Sequence, residues 1–167
     1  MAHNTSLSTD LSENIELLHT LLPLEQSFDL ITRNLCLGNT QAFWLGINGF
    51  CKTEILQQIF SDLQNPLYTQ NLTIEDLPHY VQSKLGYAQV SLTSSVDTLL
   101  QNVLSGPSIL LVDGFSQAVI IDVRTYPVRS ISEPDTERIT RGARDGFVET
   151  LLFNTNLIRR RVRSPRL

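Results

Sequence analysis

Two pairs of short apolar runs, each hinged at a tight-turn dipeptide, constrain the fold of this chain more than any other feature. Phe28 to Leu37 carries apolar residues at alternating positions, Gly38-Asn39 follows, and Ala42 to Ile47 is a second apolar run. Further on, Ser108–Val112 and Gln117–Val123 flank Asp113-Gly114. Dipeptides of this kind tolerate the positive φ that a turn between twisted antiparallel strands requires, so each pair predicts a β-hairpin. Tyr87 to Leu92 alternates as a fifth strand. None of these runs approaches the 18 or so consecutive apolar residues that a bilayer-spanning helix needs.

Helical spacing fills the gaps between the strands. Asp10 with Glu13 reads as a capping box ahead of Leu11, Ile15, Leu18 and Leu22, giving a helix from about 11 to 22 stopped by Pro23. Thr53 to Leu63 places Ile55, Leu56, Ile59, Phe60 and Leu63 on one face and ends near Asn65-Pro66. Thr73 with Asp76 opens a helix to about Leu85, its start delayed by Pro78 and its end marked by Gly86. Ser95 to Leu104 reads as another, closed by Ser105-Gly106-Pro107. The expected fold is α/β (α+β): a mixed sheet of about five strands with two hairpins, flanked by three or four helices. With 41% hydrophobic and 18% charged residues, the chain has ample material for such a core.

Charge divides the molecule. Residues 1–123 hold twelve acidic and three basic residues, whereas residues 124–167 hold ten arginines and five acids. The expected organisation is an acidic body over 1–123, an extended linker over 124–145 and a basic terminal helix over 146–167. Tyr126-Pro127 and Glu133-Pro134 mark the linker, and Asp145 is placed to cap a helix running from Gly146 to about Val162. That helix carries Phe147, Leu151, Leu152, Leu157 and Ile158 as an apolar face, with Arg159, Arg160, Arg161 and Arg163 crowded at its C-terminal end. Arginines there are favoured by the helix dipole.

Little in the sequence points to chemistry. No phosphate-binding loop, dinucleotide fingerprint, nucleophile elbow or zinc-binding helix motif is present. Cys36 and Cys51 lack a CxxC neighbour and each reads as a buried structural thiol, with a disulfide between them not expected. No metal site or cofactor is expected. Asp113-Gly114 reads as a turn rather than a cation ligand. Glu133, Asp135 and Glu137 lie beside Arg138, Arg141 and Arg144, and this cluster reads as charge-assisted hydrogen bonding in the linker rather than an acid–base dyad. Trp44 and Phe43 read as core. Nucleic-acid binding is not expected, because only the last turns of one helix are basic on an otherwise acidic chain.

The C-terminal third carries longer words: Glu133-Pro134-Asp135-Thr136-Glu137, Arg141-Gly142-Ala143-Arg144-Asp145-Gly146-Phe147, and Asn154-Thr155 followed by Leu157-Ile158-Arg159-Arg160-Arg161. In this order they resemble the GerA family of spore-germination proteins, the A subunits of germinant receptors. Ser27-Phe28-Asp29, Arg33-Asn34-Leu35, Asn48-Gly49-Phe50-Cys51 and Leu104-Ser105-Gly106 are similar to its stage V sporulation protein AF branch.

The resemblance implies the first third of a longer protein of the inner spore membrane, here a soluble part facing an aqueous compartment. A second α/β subdomain and membrane-spanning helices are expected to follow. The implied role is noncatalytic: signalling and assembly with other germination-protein subunits, homo-oligomerisation, and support of germination-linked ion release. The alternative is a domain that binds a small-molecule germinant (an amino acid, sugar or nucleoside). Glu133, Asp135, Glu137, Arg138, Arg141, Arg144, Asp145, Phe147, Glu149, Asn154, Arg159, Arg160 and Arg161 are assigned to interdomain or assembly contacts, and no ligand-binding residue is assigned. The basic helix is expected to dock on the second subdomain or on a neighbouring chain.

Overall fold

The computed structural model describes residues 6–124, 147 and 150–165. Its elements are α1 (Leu11–Leu21), β1 (Leu30–Leu37), β2 (Thr40–Ile47), α2 (Thr53–Leu63), α3 (Pro66–Thr69), α4 (Leu77–Lys84), β3 (Gln89–Thr93), α5 (Val96–Ser105), β4 (Ser108–Val112), β5 (Ala118–Asp122) and α6 (Leu151–Val162). Five strands form one sheet in the order β1-β2-β4-β5-β3.

Alternation along the central strands divides the core into two layers. Phe43, Leu45, Ile109, Leu111, Ala118 and Ile120 face α1 and α5, meeting Leu18, Leu22, Leu99 and Val103. Trp44, Leu110, Val112, Val119 and Ile121 face α2 and α4, meeting Ile59, Leu63, Val81 and Leu85. With helices on both faces, β4 beyond Ser108 and most of β5 need apolar residues at every position, which is why they read as unbroken apolar runs. Such burial contributes roughly 25 cal/mol per Å² of apolar surface removed from water.

Both expected hairpins form, with Gly38 (φ 64°) and Gly114 (φ 82°) supplying the left-handed conformations. Every strand pairing is antiparallel, where a mixed sheet was expected. The reason is topological. α5 carries the chain from β3 to β4, which run in the same direction, but β5 folds back through the Asp113-Gly114 turn and inserts between them. Among the described residues, no two parallel strands are therefore neighbours.

Helix ends follow local chemistry. The Asp10 carboxylate accepts from the N–H groups of Ser12 (2.7 Å) and Glu13 (3.3 Å), capping α1 as expected. Asp113 joins it from across the fold, accepting the Leu11 N–H at 3.2 Å, so its carboxylate fixes α1 to the β4–β5 turn. α4 starts at Leu77, with Pro78 in its first turn, where the missing N–H matters least. Pro66, read from the sequence as a breaker, instead opens the four-residue α3, with the Asn65 side chain accepting the Leu67 N–H at 3.1 Å. α6 begins at Leu151 rather than Gly146: Thr150 is extended and forms no side-chain cap, and Asp145 lies outside the described residues.

Both cysteines are free thiols. Cys36 is exposed rather than buried as expected, because it lies on the edge strand β1 at a position turned to solvent; Cys51 is half-buried, and burial pushes its pKa up to about 11. Iodoacetamide at neutral pH is expected to modify Cys36 well before Cys51, because the thiolate is the reacting species. Peptide mass spectrometry over a time course checks the order; equal rates would contradict this placement of Cys51.

Candidate assembly site at the seat of the C-terminal helix

The residues that hold α6 come from opposite ends of the chain. Asp29 sits just ahead of β1 and is 3% exposed; its carbonyl accepts the Asn48 N–H at 2.8 Å, tying it to the β2–α2 turn. Ser27 donates its hydroxyl to the Asp29 carboxylate. Arg159, on α6, is 1% exposed and meets that carboxylate side-on: Nε donates to Oδ2 and Nη2 to Oδ1, both at 2.8 Å. Its Nη1 donates to the Ser164 carbonyl at 2.9 Å, just beyond the point where Arg163 (φ 47°) turns the chain out of the helix. One guanidinium thus binds the body, the helix and the segment after it.

A paired planar fork suits this position, since lysine lacks the geometry to grip both carboxylate oxygens. Burial of the pair removes both charges from water, so the attraction largely offsets desolvation; removing one partner is the expensive change.

Asn156 and Leu152 complete the seat. Asn156 is 1% exposed and lies against Gly49, where an added Cβ would stand 2.4 Å from its Nδ2 and 3.1 Å from Leu152 Cδ2. Gly49 has φ 80°, so glycine is needed both for the turn and for the approach of the helix. Beside this seat, Arg124 grips Asp122 through Nε (2.8 Å) and Nη2 (2.6 Å) and donates Nη1 to the Ser105 carbonyl at 3.1 Å, closing the C-terminus of α5. Burial alone would raise the Asp122 pKa, but the hydrogen bonds and charge of Arg124 outweigh it and hold the carboxyl below its usual value.

On either side of this seat α6 leaves apolar side chains in solvent. Leu151 (69%), Phe153 (43%) and Val162 (50%) are exposed, as are Arg160 and Arg161. Phe147, 69% exposed, lines a hollow of about 210 Å³ with Leu157, Ile158 and Arg161. Asn154 is half-buried. Of the other sequence-predicted residues, Glu133, Asp135, Glu137, Arg138, Arg141, Arg144, Asp145 and Glu149 lie outside the described residues, as does the proposed linker beyond Arg124. Among the described residues, no three His, Cys, Asp or Glu side chains converge on a metal-sized space, and no helix is long and apolar enough to cross a membrane.

A family model described as Bacillus/Clostridium GerA spore germination protein matches residues 19–167. The chain belongs to the GerA family. It is 36% identical over 156 residues to stage V sporulation protein AF of Bacillus subtilis (strain 168), covering 93% of this chain and 31% of that protein. It is 34% identical over 164 residues to the uncharacterized membrane protein YfkQ of the same organism, covering 96% and 31%. The N-terminal domain of the A subunit of the Bacillus megaterium spore germinant receptor GerK3 matches with a TM-score of 0.71 at 22% identity, covering 96% of this chain and 58% of that one. This last likeness supports the fold. The GerA-family chain described here spans about a third of the length of these curated relatives.

The sequence assigns Arg159 to interdomain or assembly contacts, whereas here it pairs with Asp29 of its own body; Asp29, Ser27, Gly49 and Asn156 are not singled out there as site residues. The words Ser27-Phe28-Asp29 and Asn48-Gly49-Phe50-Cys51 were signals of family membership. Nothing local in either word tells that both meet a helix more than a hundred residues later.

Proposed function

We propose that this chain is a noncatalytic signalling and assembly domain of a spore-germination membrane protein. The observation that carries the reading is that α6 is seated but incompletely covered. Its inner side is fixed to the acidic body through the buried Arg159–Asp29 pair, while Leu151, Phe153 and Val162 on its flanks are left in solvent. A seated helix with exposed apolar flanks fits contact with a further subdomain of the same protein, a second copy, or another germination-protein subunit. In the full-length protein, anchored in the inner spore membrane with this part in an aqueous compartment, such contact would support subunit assembly and germination-linked ion release. Glu133, Asp135, Glu137, Arg138, Arg141, Arg144, Asp145 and Glu149 are assigned to the same contacts.

Charge reversal at Arg141 or Arg144 tests the second half of that assignment. Either reversal puts an anion close in sequence to Glu133, Asp135 and Glu137, where like charges repel, so the full-length variant is expected to assemble poorly. Wild-type oligomer formation and germination by Arg141→Glu and Arg144→Glu would remove these residues from the site.

A second reading rests on a different observation. An open cleft of about 500 Å³ is lined by Glu54, Ile55 and Gln58 of α2, by Tyr87, and by Val123 and Arg124 beyond β5. Apolar walls with a few convergent polar groups suit a small polar ligand. Thermal-shift screening with amino acids, sugars and nucleosides separates the readings: a stabilising ligand, lost on Gln58→Ala, favours the receptor role, and no shift at millimolar ligand counts against it.

A further inference from the structure

The seat of α6 joins a strong clamp to a built-in penalty. The clamp is the paired hydrogen bonding of Arg159 with Asp29. The penalty is Asn156, one turn earlier on the same side of the helix. It is 1% exposed, and neither its Nδ2 nor its Oδ1 has a hydrogen-bond partner. An asparagine amide makes several hydrogen bonds in water, and docking α6 removes them without replacement. The amide is pressed against the Gly49 backbone, where even a single added carbon would stand 2.4 Å from it.

Apolar burial elsewhere along α6 is partial. Leu152, Leu157 and Ile158 are half-buried, while Leu151, Phe153 and Val162 remain in solvent. By contrast, all five residues of β4 are buried. Lifting α6 away restores water to Asn156 and also to Arg159 and Asp29, whose charges are well solvated once separated. The sheet and the two helical layers keep their own contacts, because α6 contributes no residue to either core cluster.

From this balance we infer that α6 is a releasable latch. The helix leaves and rejoins its seat as a unit while the five-stranded sheet stays folded. Arg159 and Asn156 set the closed fraction in opposite directions: the arginine holds the latch shut, and the asparagine keeps it from being permanent. Opening uncovers Asp29, Ser27 and the Gly49 turn together. The inference needs no assumption about what the outer side of α6 contacts.

Amide hydrogen exchange on the complete 167-residue chain tests it, because exchange through local opening is separable from exchange through global unfolding. In the wild type, amides of residues 151–162 are expected to exchange at least a hundredfold faster than those of β4, and to depend little on low concentrations of urea. Asn156→Leu removes both unpartnered atoms while keeping the branched outline of the side chain and is expected to slow α6 exchange about tenfold. Gly49→Ala, which crowds the amide, is expected to speed it while Trp44 fluorescence still reports a folded sheet. Exchange of α6 at the same rate as β4 in the wild type would overturn the inference, as would an Asn156→Leu chain whose α6 exchanges no more slowly.

Discussion

Replacing Asp29 by alanine is expected to weaken the docking of α6 by about 3–5 kcal/mol, because the substitution leaves a buried guanidinium without its carboxylate. Both groups are almost wholly buried, with side-chain exposures of 1% for Arg159 and 4% for Asp29, so solvent screening does little to soften the loss. The effect should be read at α6 first. In Asp29→Ala its amides exchange at rates near those of an unstructured segment, while the sheet still unfolds cooperatively in urea. The double variant Asp29→Ala/Arg159→Met removes the stranded charge as well and is expected to recover much of the docking, since a buried pair replaced by apolar groups is often close to neutral. If Asp29→Ala left α6 exchange within twofold of the wild type, the ion pair would not be what holds the helix.

Trp44→Ala is expected to destabilise the whole domain by about 3–5 kcal/mol, the range for truncating a large buried aromatic. Trp44 lies in β2, 2% exposed, with its ring edge-on to Phe60 at a centroid distance of 5.2 Å. Gly46 makes room for it, since a Cβ there would stand 2.6 Å from Trp44 Cη2. Its indole Nε1 is buried without a hydrogen-bond partner, so its worth to the fold is packing alone. Trp44→Phe removes that unpartnered N–H together with part of the ring, and its loss should be well under half that of the alanine variant. Urea denaturation followed by circular dichroism measures both. A Trp44→Ala chain within 1 kcal/mol of the wild type would mean that this side of the sheet is not packed as described. Trp44 is the single tryptophan, so in the wild type its emission reports the α2–α4 layer directly.

The parts of the fold that were legible in the sequence are those fixed by neighbours along the chain. Gly38-Asn39 and Asp113-Gly114 announce their hairpins because turn conformation depends on the residues in the turn. Asp10 and Ser95 announce the starts of α1 and α5 because a cap bonds within its own first turn. What was not legible depends on three-dimensional assembly. The sheet is antiparallel throughout because β5 inserts between β3 and β4, and no local signal reports which strand will occupy that gap. Pro66 reads as a stop and serves as a start; both uses follow from its missing N–H, and only the Asn65 side chain decides between them. The site divides in the same way. The arginine cluster on α6 is plain in the sequence, but which arginine is buried depends on Asp29, 130 residues away. The unpartnered amide of Asn156 is visible only once Gly49 is placed against it.

The central claim is that α6, held to the body through Arg159, serves assembly through the apolar side chains it leaves exposed. Leu151→Asp/Phe153→Asp in the full-length protein tests it most directly, because both residues are exposed and neither belongs to the seat. The measurement is recovery of the partner subunits and of the oligomer from spore membranes, alongside the germination rate. The isolated 167-residue chain carrying the same pair of changes serves as the folding control. The account predicts an unchanged melting temperature for that chain and a loss of assembly and germination for the full-length variant. Wild-type assembly and germination with both aspartates in place would contradict it, and the outer face of α6 would then have no part in what this domain does.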